Sequence, residues 1–144
     1  MQECGECTLC CKLLELHEIP SKIGEWCKYC DKTKGCSIYV RKPKECDTYK
    51  CMWLEMENVG VELRPDKSHI IFNKASDKTI CAMQDPDYKL DSLVMQQIKE
   101  FNKQGYSVVI RKNEMYYTYL TKGHTLKEAK RDIDGRSKLH RRLN

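Results

Sequence analysis

The sequence predicts an α+β fold: a loop-rich N-terminal cysteine lobe, then a small antiparallel sheet of β-β-α-β-β order with one main helix. Three observations carry this. Nine of the ten cysteines lie between Cys4 and Cys51, and only Cys81 falls outside. Residues 68–73 and 79–84 are short β-rich runs, and so are residues 106–111 and 115–120. Between the two pairs, Leu93, Val94, Ile98 and Phe101 recur at helical spacing. Strand pairs on either side of one helix suit a sheet with that helix laid across it.

The lobe spans residues 1–57. Leu13, Leu14 and Leu16 make a short apolar stretch after Cys11, and residues 20–24 form a loop. Asp31 to Gly35 is a polar turn that delivers a β-like run from Cys36 to Val40, which Pro43 ends. Cys46 to Met56, with Tyr49, Trp53, Leu54 and Met56, is expected as a helix whose apolar face covers the cysteines.

Residues 58–120 form the α+β unit. Lys74 to Lys78 is polar enough for a hairpin loop, and Asp85-Pro86-Asp87 breaks the chain. Asp91 or Ser92 N-caps the helix, which runs to about Gln104, and Gly105 suits its C-cap. Lys112-Asn113-Glu114 turns the second hairpin. Residues 121–144 form a basic tail, in which Thr125 caps a short helix carrying Leu126, Ala129 and Ile133, and Gly135 ends it. The three segments are expected to make one compact domain.

Composition narrows the class. A chain of 144 residues that is 40% hydrophobic and 33% charged builds only a modest core. The lobe has few large apolar side chains between its cysteines, so it needs crosslinks or metal to offset chain entropy. The net charge of +5 is mild and does not by itself imply nucleic acid. The N-terminus has neither the basic nor the apolar region of a signal peptide. No apolar run approaches the ~18–20 residues that cross a bilayer. The expectation is a cytoplasmic protein without a membrane partner, where cysteines serve as metal ligands or redox groups before disulfides.

The spacing is C-x2-C-x2-C-C, then fifteen residues, then C-x2-C-x5-C-x9-C-x4-C. A C-x2-C turn points two sulfurs at one ion while backbone amides donate to them. Two such steps share Cys7, and another lies at Cys27 and Cys30. The candidate metal ligands are therefore Cys4, Cys7, Cys10, Cys11, Cys27, Cys30, Cys36, Cys46 and Cys51. Nine thiols exceed the four that one tetrahedral ion takes, so two centres or one polynuclear centre are expected, with a metal-stabilised lobe around them. Neighbouring side chains tend to point apart, so Cys10 and Cys11 are expected to serve two different centres, or one centre and a redox role. All-thiolate donors suit Zn2+ or Fe, the latter as an ion or an iron–sulfur cluster, and exclude magnesium and calcium. Lys12, Lys28, Lys32, Lys34, Arg41, Lys42, Lys44 and Lys50 are placed to offset thiolate charge.

Other residues read more plainly. Cys81, beside Ile80, Ala82 and Met83, is a small core residue rather than a ligand. His17 is a spare donor left outside the ligand set, His69 a half-exposed strand residue, and His124 and His140 are solvated in the tail. Tyr106, Tyr116, Tyr117 and Tyr119 read as core and rim of the last hairpin rather than a base-stacking platform. The chain has no P-loop, no dinucleotide-binding G-x-G-x-x-G, no G-x-S-x-G and no H-E-x-x-H.

Cys4-x-x-Cys7-x-x-Cys10-Cys11, Trp26-Cys27-x-x-Cys30, Gly35-Cys36-Ser37-Ile38-Tyr39, Arg41-x-Pro43 and Cys46-x-x-Tyr49-x-Cys51-x-Trp53-Leu54 together resemble the bacterial cysteine-cluster (YkgJ-like) family. Leu63 to Ser68 resembles a stretch that follows the cluster there, so the likeness covers roughly residues 4–70. One departure is Lys42, which separates an Arg and a Pro that are usually adjacent. The resemblance implies a zinc- or iron-chelating CxxCxxCC domain. Flagellin lysine N-methylases carry a similar cluster, which implies as an alternative an iron–sulfur or metal-dependent redox or group-transfer enzyme. A third reading is an RNA-binding, zinc-ribbon-like module whose basic tail meets nucleic acid or an acidic protein partner.

Overall fold

The computed structural model describes residues 7–14, 24–31, 35–41, 44–57 and 59–143. The elements are α1 (Cys10–Leu13), β1 (Cys30–Asp31), β2 (Gly35–Cys36), α2 (Lys44–Thr48), α3 (Pro65–Ser68), β3 (Ile70–Lys74), β4 (Thr79–Gln84), α4 (Ser92–Lys103), β5 (Ser107–Lys112), β6 (Met115–Tyr119) and α5 (Leu126–Leu143). Single turns of 3-10 helix lie at Tyr39–Arg41, Met52–Glu55 and Val61–Leu63. The fold is α+β, and β3 to β6 keep the β-β-α-β-β order around α4. No described helix is long and apolar enough to cross a membrane.

The chain divides into two compact units. One comprises residues 1–71 and 84–90, and the other residues 72–83 and 91–144. The boundary falls within β3 and within β4.

The second unit shows how pattern becomes structure. Asp91 caps α4, its carboxylate accepting from Val94 N at 3.0 Å. Val94, Ile98 and Phe101 are buried along one stripe of α4, and Phe101 meets Phe72 edge-on with ring centroids 5.3 Å apart. Gly105, at φ 94°, takes the left-handed conformation that follows the helix.

The strand order is β3-β4-β5-β6. Bonds from Ala75 N to Thr79 O and from Asp85 N to His69 O, both 2.9 Å, run β3 and β4 antiparallel. β5 and β6 are also antiparallel, Val109 facing Thr118, and Asn113 turns the hairpin at φ 56°. The central pair differs from the expected all-antiparallel sheet: β4 and β5 are parallel, Ile80 facing Val108 and Ala82 facing Ile110. α4 lies between them in sequence and supplies the long crossover that parallel neighbours require. Val108, Val109 and Ile110 are buried side by side on β5, so both faces of this strand are covered.

Other expectations change. The Cys46–Met56 helix is two pieces, α2 and the Met52–Glu55 turn, because Cys51 is extended (φ −75°, ψ 154°). The run after Cys36 is not a strand. It turns at once into Tyr39–Arg41, and Val40 is 96% exposed. Thr125 does start α5, with Glu128 completing a capping box: Glu128 N donates to Thr125 Oγ1 and Thr125 N to Glu128 Oε1. The helix then continues through Gly135 to Leu143. Gly135 is not at positive φ, and a lone helical glycine costs only about 1 kcal/mol relative to alanine. Tyr116 and Tyr117 form the exposed rim of the last hairpin, on the outer strand β6, while Tyr106 and Tyr119 are half-buried.

Candidate metal centre

The cysteine-bearing unit is assembled from short pieces tied by backbone bonds. α1 carries Cys10 and Cys11, and buries Leu13 and Lys12. Cys27 N donates to Cys11 O at 2.8 Å, and Gly24 N donates to Lys12 O at 2.9 Å. These two bonds lay the second C-x2-C segment against the first. A turn closed by Cys30 N and Cys27 O at 3.0 Å follows. β1 and β2 then form a minimal hairpin in which Cys30 faces Cys36 and Asp31 faces Gly35. Gly35 sits at φ 92°, a conformation glycine adopts without cost. Opposed residues on an antiparallel pair share a face, so the hairpin holds Cys30 and Cys36 together.

The thiols converge. Cys11 shares hydrogen bonds with Cys10 and with Cys30, and the first of these is the main cause that raises its pKa far above the ordinary range. Cys10 and Cys11 are neighbours in the four-residue α1 and act on each other electrostatically. Burial raises Cys30, against opposing hydrogen bonds from Cys11 and Thr8. Burial pushes Cys46 up to about 11, with further contributions from Cys10, Cys27 and Cys36. Burial likewise pushes Cys7 up to about 11, and Asp66 and Cys10 add repulsion. Cys10 acts on Cys7, Cys11, Cys30 and Cys46, and Cys27 acts on Cys30 and Cys46. Cys51 is buried just before the Met52–Glu55 turn. Cys4 and His17 lie outside the described residues.

Among the described residues, no group of three or more His, Cys, Asp or Glu side chains is placed to hold a metal ion. The donor chemistry nonetheless fits a soft cation. Buried thiols that raise one another's pKa stay protonated by themselves, and a bound cation reverses both burial cost and mutual repulsion. Such a cation would supply fixed positive charge that holds the thiolates and the loops bearing them.

Lys12 is engaged elsewhere. Its ammonium donates to Asp85 Oδ1 at 2.8 Å and Asp87 Oδ2 at 2.6 Å, and lies 5.7 Å from the centre of the Trp26 ring. The Lys12 and Asp85 side chains are only 6% and 3% exposed. Desolvation lowers the Lys12 pKa, but the two carboxylates outweigh it and the net shift is upward. This ion pair, with Asp87 N donating to Asp85 Oδ1, neutralises Lys12 instead of leaving it for the thiolates. Lys28 lies 5.0 Å from the centre of the Tyr29 ring. Further along, His69 caps α3 in the left-handed conformation (φ 62°) and stacks on Tyr88 at 3.6 Å. It is half-buried at a helix end rather than within a strand.

The second unit holds a polar network that the sequence reading missed. His124 is buried, not solvated: its Nδ1 lies 2.6 Å from Ser107 Oγ, and its Nε2 3.9 Å from Asp132 Oδ2. Asp132 also accepts from Thr79 Oγ1 at 2.6 Å and Ser76 Oγ at 2.8 Å. The Thr79 bond is the main cause that holds the Asp132 carboxyl below its usual range. Ser107 is fully buried and its Oγ also accepts from Thr121 N at 3.0 Å. A serine closed off in this way ties the segment before α5 to the sheet, while Asp132 ties α5 itself to Ser76 and Thr79. The signal available in sequence was His124 immediately before the Thr125 cap. Cys81, half-buried on β4, stands apart from the thiol cluster in sequence and lies in the second unit.

No family model matches this chain, and neither a curated protein nor a solved structure matches it.

Proposed function

We propose that this chain is a cytoplasmic metal-binding protein of the CxxCxxCC type, chelating zinc or iron through its cysteine cluster. The observation that carries the reading is the number and C-x2-C spacing of the thiols, supported by the strand pairing that sets Cys30 opposite Cys36 and by the bond from Cys27 N to Cys11 O. Chain entropy opposes gathering so many thiols, and apolar packing around them is sparse. Coordination provides the missing free energy, because binding to a site that exists only in the fold is folding free energy. The motif resemblance to the YkgJ-like family supports the same reading. The number of thiols supports two centres or one polynuclear centre.

The test is purification without oxygen, followed by elemental analysis, acid-labile sulfide and a visible spectrum. About two zinc ions per chain in a colourless solution indicate closed tetrahedral sites. Iron with sulfide and a brown charge-transfer band indicates a cluster. Cys30→Ser and Cys46→Ser should each lower the bound metal. Metal content unchanged in both variants refutes the reading.

A further inference from the structure

The β1–β2 hairpin sets two thiols directly opposite each other, Cys30 facing Cys36, with Asp31 facing Gly35 beside them. The backbone bonds tell which kind of pair each is. Ser37 N donates to Tyr29 O at 2.7 Å, one step along the ladder from Cys30 and Cys36. Facing residues of an antiparallel ladder alternate between hydrogen-bonded and non-hydrogen-bonded pairs, so Cys30 and Cys36 are a non-hydrogen-bonded pair. In such a pair the Cα atoms stand about 4.5 Å apart and the side chains are at their closest. That separation falls within the range of about 4.4–6.8 Å that a disulfide spans.

Access and register both favour this pair. Cys30 and Cys36 are half-buried, whereas Cys27 and Cys51 are buried. Gly35, at φ 92°, shapes the turn, and a Cβ added there would meet no atom within 4 Å, so its role is conformational. The rival partner for Cys30 is Cys11, whose side chain interacts with it. Cys11 belongs to α1 and lies outside the two-stranded ladder, which fixes Cys36 alone opposite Cys30. In a reducing compartment such a disulfide is transient and redox-sensing rather than a permanent staple.

We infer that Cys30 and Cys36 are a redox modification site, a dithiol that hydrogen peroxide closes into a cross-strand disulfide and that small thiols reopen. One sulfur attacks the peroxide as thiolate. An S–O bond forms, the O–O bond breaks, and the departing hydroxide takes up the thiol proton as water. The second sulfur then attacks the sulfenic acid. The S–S bond forms, the S–O bond breaks, and the hydroxyl leaves as a second water with the second thiol proton. Two electrons pass from the thiols to peroxide. In reverse, two molecules of a small thiol restore the dithiol and become a disulfide themselves. Closure also withdraws two thiolates from the proposed ligand set, so oxidation releases metal; this consequence alone rests on the metal-binding reading.

The test treats the full chain, purified without oxygen, with stoichiometric hydrogen peroxide. Remaining thiols are alkylated at intervals, and linkages are mapped by proteolysis and mass spectrometry. Cys30–Cys36 is expected as the first linkage, and dithiothreitol should reverse it. In guanidinium the hairpin is lost and short loops close first, so Cys27–Cys30 should overtake it. Gly35→Ala strains the turn without touching a thiol and should slow Cys30–Cys36 closure roughly fivefold or more. A first linkage between any other pair, Cys11–Cys30 included, overturns the proposal. So does oxidation to sulfinic acid without a linkage, the same linkage order in guanidinium, or a Gly35→Ala chain that closes as fast as the parent. Metal released into a chromogenic chelator is read in the same samples. A chain that carries no metal removes the metal-binding reading and leaves the linkage map to decide this one.

Discussion

In the unit of residues 72–83 and 91–144, a 12-residue helix with a complete cap buries Val94, Ile98 and Phe101, and β5 buries Val108 to Ile110. In the unit of residues 1–71 and 84–90, the longest described helix is the five-residue α2, and the described strands of the cysteine hairpin are two residues each. The first arrangement couples local preference to a continuous apolar core. The second replaces core with specific ties: thiol contacts, an ion pair between α1 and the 85–87 turn, and backbone bonds between segments that lack regular structure. Apolar packing tolerates imperfect complementarity, whereas charged and coordinating groups cost heavily when a partner is lost.

If the proposed metal is bound, its removal should set the two units apart most sharply. A strong chelator is expected to abolish amide protection between Cys7 and Cys51 while protection of α4 and β5 persists, as hydrogen exchange read by mass spectrometry would show. Equal loss in both units would break the contrast. In the core-built unit, Phe101→Ala should cost about 3–5 kcal/mol in denaturant unfolding. In the other, Lys12→Met should cost about 3–5 kcal/mol without creating a cavity, because Asp85 is left charged and buried. Cutting back Asp85 as well, in Lys12→Met/Asp85→Leu, should recover much of that loss. Failure to recover would mean the pair acts through packing alone. A smaller effect is expected at the α4 cap, where Asp91→Ala should cost about 1 kcal/mol.

The smallest effect concerns acid. Asp132 is held below its ordinary value of 3.8, mainly by Thr79. A carboxyl depressed in the fold stabilises it above its unfolded pKa, and that contribution disappears as pH falls through the lower folded value. Stability of the second unit should therefore decline below about pH 4, with a shallower decline in Thr79→Ala. Thermal melts between pH 2 and pH 6 would read the difference, and superimposable profiles would remove Asp132 from the account.

The two units also differ in how much could be read in advance. Thr79–Gln84, the Asp91 cap, the stripe of α4 and the turn at Asn113 follow from periodicity and local capping chemistry, which act over a few residues and leave a mark on composition. The concentration of thiols was visible for a similar reason, since cysteine spacing records local turns. The unpredicted features join residues far apart in the chain. Lys12 reaches Asp85 and Asp87 across more than seventy positions, and Ser76 reaches Asp132 across fifty-six. Nothing in either segment alone distinguishes a buried lysine from a solvated one, or a buried His124 from a histidine in a basic tail.

Residue order alone therefore carried the α+β class, the succession of elements from β3 to β6 and the concentration of thiols, because each rests on short-range stereochemistry. Folding in three dimensions set the parallel pairing of β4 with β5, the neutralisation of Lys12 by Asp85 and Asp87, and the burial of His124 against Ser107. Those depend on which distant segments meet and how much water they exclude, and burial and partner together decide what a charged or sulfur-bearing side chain does.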